Sequence, residues 1–588
     1  MSEPRPGMGA IVHESGVAFR VWAPHADRVS VMGDFNGWSG EADPLHHEEG
    51  GYWYGEVEGA TAGQEYKFLL GAGEAVFDRN DPYARLVTSS VGNGIVYDPH
   101  AFDWGDDAFR CPPHHELVIY ETHIGSFIGT PDGGPSDLHD VTARLHYLKA
   151  LGVNAVELMP VQEFAGDYSW GYNPAHPFTV ESGYGGPDAL KTFVKAAHAQ
   201  GIAVILDVVY NHFGPSDLAI WQFDGWSEDG KGGIYFYNDA RSSTPWGDTR
   251  PDYGRPEVRR YLLDNVHQWL GEFRLDGLRF DATSYMHKVD GGSGDIPEGW
   301  SLLREISHHV RERWPEKILI AEDFQAGAAV TSTEEGGAGF HAQWAHEFVH
   351  PVREALITPD DAHRSVPALA AAVSHHYGHP HTRVIYTESH DEVANGQMRL
   401  AHEIDGGNTD GWAAQKRTTL GAGLVLTAPG IPMIFQGQEF VEDEWFRDTV
   451  PLDWERAEKL RDIVRLYRDL IHLRRNVDGT TAALGGPHLQ LLLADDEAKV
   501  LAFHRSTDDG QHAVVVANFA AHPREVVIGM PHADEWALRF NSDASTYSAL
   551  FGDHPSGDVV SVEEPVHGLP ARATVDVGPY SVVVYSPR

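Results

Sequence analysis

Three regimes of hydrophobic patterning succeed one another along the chain. Up to about residue 108, short runs alternate apolar and polar positions, as in Val17-Ala18-Phe19-Arg20-Val21-Trp22 and Val29-Ser30-Val31-Met32, with Gly, Asn and Asp between them. Period-two alternation bounded by turn residues predicts strands, and their spacing suits a small β-sandwich. From Leu117 to about Phe435, short apolar runs alternate with longer helical stretches. The runs are Leu117 to Tyr120, Ala155 to Met159, Ile202 to Leu206, Gly277 to Phe280, Ile318 to Ala321, Arg383 to Tyr386 and Pro432 to Phe435. Near-continuous apolar strands mark a parallel sheet buried on both faces. These seven, with an eighth expected near Phe340 to Trp344, fill the length of a (β/α)8 barrel. From about Thr480 the pattern is all-β again, in Val500 to Phe503, Ala513 to Val516 and Ser581 to Tyr585. The expected division is an N-terminal β-sandwich over 1–108, an α/β barrel over 109–479, and a C-terminal β-sandwich over 480–588. The sequence holds no internal repeat and no low-complexity tract.

Composition narrows the class without naming a chemistry. A chain of 588 residues, 42% hydrophobic and 22% charged, is a packed multidomain protein and neither a disordered chain nor a coiled coil. Its 86 acidic residues against 44 basic give a net charge of −42. That field repels phosphate backbones and anionic membranes, so neither nucleic acid nor a membrane is an expected partner. Cys111 is the only cysteine, which excludes an intrachain disulfide and a thiolate metal cluster. The first residues lack a basic segment followed by an apolar one, so no signal peptide is expected. The longest apolar stretch, near Leu420 to Phe435, is broken by Gly421, Gly423, Thr427, Pro429, Gly430 and Pro432, and predicts a buried helix, turn and strand. The expectation is a cytoplasmic monomer or weak oligomer.

Barrel active sites lie at the C-terminal ends of the strands, so the polar residues after each apolar run are the informative ones. The third run leads into Asp207-Val208-Val209-Tyr210-Asn211-His212. The fourth is Gly277-Leu278-Arg279-Phe280-Asp281, the fifth ends in Glu322-Asp323, and the seventh leads into Glu388-Ser389-His390-Asp391-Glu392. Three carboxylates (Asp281, Glu322, Asp391), an arginine and two histidines therefore converge on one rim. Cleavage of a glycosidic bond asks for such a set: one carboxylate attacks the anomeric carbon and another, with raised pKa, protonates the leaving oxygen. Adjacent rim strands can hold the two carboxyls roughly 5 Å apart, the separation of a retaining double displacement. Arg279 stands two residues before Asp281, on the same strand face, where it would hold that carboxylate ionised.

Those four segments, DVVYNH, DGLRFDA, IAED and SHDE, resemble the signature regions of the α-amylase family of glycoside hydrolases in order and spacing. The resemblance implies that Asp281 is the nucleophile and Glu322 the general acid/base. Asp391 would be a third carboxylate that grips sugar hydroxyls. It further implies that Arg279, His212 and His390 bind the sugar beside the scissile bond, with Asp207 and Asn211 supporting them. Trp170 and Tyr172, in Ser169-Trp170-Gly171-Tyr172, fall at the family's stacking platform. At the N-terminus, Phe19 to Pro24 and Gly33-Asp34-Phe35-Asn36-Gly37-Trp38 resemble a family 48 carbohydrate-binding module, in which Trp38, Trp53 and Lys67 would hold glucan. The implied substrate is an α-1,4-glucan or maltooligosaccharide. No organic cofactor is implied, and retaining glycosyl transfer needs no metal.

Within the family, two kinds of relative compete. GDFNGW, Tyr120 to Ser126, Ser389 to Val393, Gln436 to Phe440 with Glu444-Trp445, Leu452-Asp453-Trp454 and Phe540 to Asp543 are similar to branching enzymes. Trp170-Gly171-Tyr172, Tyr184 to Asp188, Asp207 to Pro215 and Ala342-Gln343-Trp344 are similar to maltooligosyltrehalose trehalohydrolases. Branching is the favoured expectation, with trehalose release or amylase-type hydrolysis as alternatives. A non-catalytic glucan scaffold would have lost carboxylates that are all present here. One pattern points elsewhere. His346-Glu347-Phe348-Val349-His350 satisfies HExxH, a zinc-peptidase signature, but Pro351 follows directly and no further ligand motif does. Proline is poorly tolerated inside a helix, so no metal centre is expected there.

Overall fold

The structure is a computed structural model, which describes residues 4–131 and 133–588. Eight parallel strands close into a barrel: β1 (Ile119–Thr122), β2 (Ala155–Leu158), β3 (Ala203–Val208), β4 (Gly277–Phe280), β5 (Ile318–Ala321), β6 (Ala342–Trp344), β7 (Arg383–Ile385) and β8 (Ile431–Phe435), with β8 pairing back to β1. All seven apolar runs and the expected eighth form its staves. Their alternate residues separate cleanly. Ile119, Ala155, Ala203, Ile205, Ile318, Ile320, Trp344, Val384 and Met433 form one buried cluster. Val156, Leu158, Leu206, Leu278, Phe280, Leu319 and Ile385 belong to another, which extends into the surrounding helices. Both faces of the sheet are thus dry, which is why its strands read as unbroken apolar runs.

Lateral register decides what stands at the barrel mouth. Asp207 is paired with Arg279 across β3 and β4, Phe280 with Ala321 across β4 and β5, and Glu157 with Glu121 across β2 and β1. Lateral partners in a parallel sheet point to the same side. The polar residues that follow Ile119, Ala155, Ile205 and Ile320 by two positions therefore form the next layer up. Between β2 and β3 the chain inserts an antiparallel pair, Gln162–Phe164 against Pro174–Val180, and the loop joining them carries Trp170 and Tyr172.

The N-terminal segment forms two antiparallel sheets. One is built from Gly9–His13, Gly16–Trp22, Tyr52–Glu58 and His46–Glu48, the other from Arg28–Gly33, Glu65–Ala72, Ala75–Arg79 and the short Gly94–Ile95. Trp22 packs edge-on to Tyr235, with ring centroids 5.5 Å apart, and His25 stacks on Trp226, fixing this unit to the barrel. The C-terminal unit is a six-stranded sheet facing a two-stranded one, around Val514, Val516, Trp536, Val575 and Val583.

Two helices flank the closing strands of the barrel. Helix α1 (His346–Ile357) starts two residues after β6 and contains Pro351. The expectation that Pro351 interrupts a helix is therefore corrected. Proline lacks the N–H that would reach the Glu347 carbonyl, so the loss is one bond near the amino end, and burial of Phe348, Val349, Val352 and Leu356 outweighs it. Helix α2 (Trp412–Thr427) is buried almost all round and leads directly into β8. A Cβ at Gly423 would come within 2.3 Å of the Val582 side chain, so glycine there lets the C-terminal sheet approach the helix. Two turns earlier, Lys416 Nζ lies 2.7 Å from Asp543 Oδ1, with neither side chain exposed. Among the described residues no helix is long and apolar enough to cross a membrane.

The buried pair makes a testable contrast. Lys416→Met strands the Asp543 carboxylate without its cation and is expected to cost about 3–5 kcal/mol. The same change at Lys288, whose partner Asp295 is largely in solvent, is expected to cost under about 1 kcal/mol. Denaturant unfolding of both variants checks this; similar small losses would show that the interdomain pair is not needed.

Candidate active site

Arg279 is fully buried and organises the barrel mouth. Its Nη1 lies 2.7 Å from Asp207 Oδ2 and 3.1 Å from Asp281 Oδ1, and its Nη2 lies 2.9 Å from Glu322 Oε2. One guanidinium thus joins carboxylates from three successive strands. The face of Trp344 lies 4.2 Å below it. Burial alone would favour losing the proton, but Asp207, Glu322 and Asp281 hold the Arg279 pKa well above its ordinary value.

The chain turns sharply after Asp281. Ala282 sits in the left-handed region, at φ 37°, and its N–H donates to Glu322 Oε2 at 2.9 Å. A non-glycine residue held there stores strain, and this strain aims the backbone at the neighbouring carboxylate. Asn211 Nδ2 donates to the other oxygen of Asp281 at 3.0 Å. Burial and the negative charge of Glu322 push the Asp281 carboxyl well above the usual carboxylate range, against the pull of Arg279. Sequence reasoning placed the raised acid on Glu322 and the ionised one on Asp281. In the structure the two carboxyls share Arg279, so the charge of one governs the proton of the other.

Asp207 is raised to about 6 by burial, opposed by Arg279 and by the Tyr172 hydroxyl, which donates to it at 2.6 Å. The Tyr172 ring stacks on His390 at 4.9 Å, and Trp170 meets the same imidazole edge-on at 5.8 Å. Gly171 between them has φ 95°, and a Cβ there would sit 2.1 Å from the Pro160 carbonyl oxygen. Only glycine lets the two aromatics leave the strap in this way. His390 Nδ1 lies 2.5 Å from Glu121 Oε1. Burial works against its charge, but Asp391 and Glu121 together push its pKa up to about 9, so it is an imidazolium at neutral pH. His212, by contrast, is lowered to about 3 by burial; its Nδ1 lies 3.1 Å from Asn211 Oδ1 and its ring stacks on Trp246 at 4.5 Å. Asp391 stands at the opening with its side chain 46% exposed, 3.6 Å from His390 Nε2.

The ten barrel residues named from the sequence therefore form one connected cluster. Three participants were missed. Glu121 and Glu157 are charges within apolar strands, a signal the sequence already offered, and Trp246 lies in a long loop where nothing local marks it. Both oxygens of Glu157 are buried without a hydrogen-bond partner, and burial with the charge of Glu121 drives its pKa far upward. The N-terminal residues fare differently. Trp38 is half-buried with its ring N–H donating to Asp34, and Lys67 is paired with Asp78 at 2.9 Å on the same sheet. Trp53 belongs to the other sheet, is only 7% exposed, and donates its ring N–H to the Ala23 carbonyl at 3.0 Å. The expectation that Trp53 offers a free face to glucan is corrected, because its indole fills the core of the module.

Comparison with known proteins agrees with this architecture. Residues 7–84 match the carbohydrate-binding module 48 (isoamylase N-terminal domain), residues 119–231 and 215–468 the α-amylase catalytic domain, and residues 492–588 the α-amylase C-terminal all-beta domain. The 1,4-alpha-glucan branching enzyme GlgB of Salinibacter ruber is 32% identical over 99% of this chain and 96% of its own. That of Corynebacterium jeikeium is 33% identical over 97% of this chain and 82% of its own. Among solved structures, type I pullulanase of Bacillus subtilis, complexed with maltose, superposes with a TM-score of 0.76 at 23% identity, covering 99% of this chain and 85% of its own. A signature spread over four strand ends, one closed barrel and matches along the whole chain lead to one conclusion: the chain belongs to the α-amylase family, glycoside hydrolase family 13.

Proposed function

We propose that the protein is a 1,4-α-glucan branching enzyme, which cuts an α-1,4-linked chain and transfers the piece to a glucan 6-hydroxyl. The observation that carries this reading is near-complete collinearity with enzymes of that name, 32% identity over 99% of this chain. The site geometry supports it. Asp281 attacks the anomeric carbon, and Glu322 gives its proton to the departing glycosidic oxygen, leaving a glucosyl ester on Asp281. The acceptor 6-hydroxyl then attacks that ester while Glu322 takes its proton, and two inversions leave the configuration unchanged. The first step needs a proton on Glu322. When it rests on Glu322, the like charge beside Asp281 disappears and Arg279 favours the ionised nucleophile. His390 and Asp391 bind sugar hydroxyls, Tyr172 and Trp170 shape the apolar wall, and Asp207 and Asn211 hold Arg279, Tyr172 and Asp281 in place. Exposed Trp246, Phe324 and Trp445 offer flat faces to further glucose units. Trp38 and Lys67 remain the glucan contacts of the N-terminal module. The single cysteine suits a reducing cytoplasm, and the chain works as a monomer or weak oligomer.

Proton NMR of amylose incubated with the protein tests the reaction: new α-1,6 anomeric signals without new reducing ends are expected. Free trehalose from maltooligosyltrehalose, or accumulating reducing ends, would replace branching by hydrolysis. Asp281→Ala is expected to fold normally and to lose at least about 10⁴-fold in turnover; a wild-type rate would remove Asp281 from the chemistry. The raised pKa of Asp281 puts the acid limb of kcat/KM above the ordinary carboxylate value of about 4, since protonation silences the nucleophile. Glu322→Gln removes the neighbouring negative charge. On a substrate with a good leaving group, its residual activity is expected to show that limb at lower pH. A limb that stays put would separate the two carboxyls.

A further inference from the structure

The HExxH segment that the sequence set aside is assembled in the structure with a third donor. His346 and His350 stand one turn apart at the start of α1, with ring centroids 5.4 Å apart. Glu392, from the segment after β7, reaches the same place. One nitrogen from each histidine and one Glu392 oxygen all lie within 4.8 Å of one another. His346 Nε2 is buried and makes no hydrogen bond, a ring nitrogen the fold leaves unused. His350 Nε2 lies 3.1 Å from Glu392 Oε1, whereas the other Glu392 oxygen is 3.5 Å from Arg353 Nε. The Phe324 ring packs on His346 at 4.3 Å and walls one side, while the 63% exposed side chain of His350 leaves the other open.

We propose that His346, His350 and Glu392 bind a divalent transition-metal ion of the zinc class, and that its occupancy slows the glucan transfer. Two imidazoles and one carboxylate are the donor set of a zinc-type ion and too nitrogen-rich for calcium or magnesium. Tetrahedral distances of about 2.0–2.1 Å from the ion suit the 3.1 Å between His350 and Glu392 and ask the three donors, within 4.8 Å of one another, to draw slightly closer. The ion takes the place of the direct contact between His350 and Glu392, and a water fills the fourth position. This is not peptidase chemistry. Glu347, the residue that would serve as base in such an enzyme, already accepts a hydrogen bond from the Tyr377 hydroxyl.

The location gives the ion its effect. Glu392 directly follows Asp391, and Phe324, two residues after Glu322, packs its ring on His346 at 4.3 Å. An ion held there fixes the Asp391 segment to α1 and adds positive charge beside a reaction whose transition state is itself cationic. Arg353, on the far side of Glu392, competes with the ion for that carboxylate's charge.

This effect on rate rests on the branching reading; the binding does not. Calorimetric titration of chelator-treated full-length protein with Zn²⁺ is expected to give one site per chain. His346→Ala and His350→Ala are each expected to weaken it at least about tenfold. His308→Ala, at an exposed histidine near Glu312, is expected to leave it unchanged. In the NMR assay, saturating Zn²⁺ is expected to slow wild-type transfer several-fold, reversibly with EDTA, and to leave His350→Ala unaffected. His350→Gln provides a second variant should the alanine protein fold poorly. Equal affinity in wild type and both His350 variants would place the ion among the other histidines and overturn the site. Binding at this site without slowing would overturn the regulatory part. Failure to form α-1,6 linkages in zinc-free protein would instead sink the branching reading, whatever the calorimetry showed.

Discussion

A buried guanidinium cannot shed its charge, and so it dictates what surrounds it. Arg279 has Asp207, Asp281 and Glu322 on its nitrogens and Trp344 beneath its plane. Removing one carboxylate would leave the Arg279 charge to the remaining two. The barrel supplies the frame of this arrangement through register. Asp207 pairs laterally with Arg279, and the next ladder ends at Phe280 and Ala321, so Asp281 and Glu322 stand side by side just beyond the strand ends. Short strands with fixed lateral partners bring three acids around one cation, and Tyr172, Asn211 and the turn at Ala282 hold them there.

The flanking domains stabilise that frame from outside. Trp22 and His25 of the N-terminal unit pack on Tyr235 and Trp226, in the long excursion between β3 and β4 that also carries Trp246. At the other end, Lys416 of α2 is tied to Asp543, in a turn of the C-terminal unit, one helix before the chain enters β8. Both domains thus grip elements adjoining the barrel, one near its substrate loops and one behind its closing strand.

Much of this was legible in the sequence because buried parallel strands tolerate few polar residues. An acid or an arginine at the end of such a run has a cost to repay, and Asp207, Arg279, Asp281 and Glu322 were visible for that reason. Glu121 and Glu157 obeyed the same rule and were passed over, since they fall in segments that carried a family resemblance or a plain apolar run. What could not be read was partnership at long range. Trp53 carries no local mark of being buried rather than displayed. Its alternating strand presents it to one side, and only the packed module reveals that this side is the core. Pro351 misled in the opposite sense, because a local rule about proline gave way to the burial of Phe348, Val349 and Val352 around it.

The strap Trp170-Gly171-Tyr172 divides the enzyme's freedom to change. Any side chain at Gly171 would run into the Pro160 carbonyl, and any shift of Tyr172 would disturb Asp207 and, through it, Arg279. The half of the site that breaks the bond is therefore closed to drift. Phe324 and Trp445 stand outside that lock, on loops, half in solvent. Either can be exchanged without touching the contacts that Asp281, Glu322 and Arg279 make with one another.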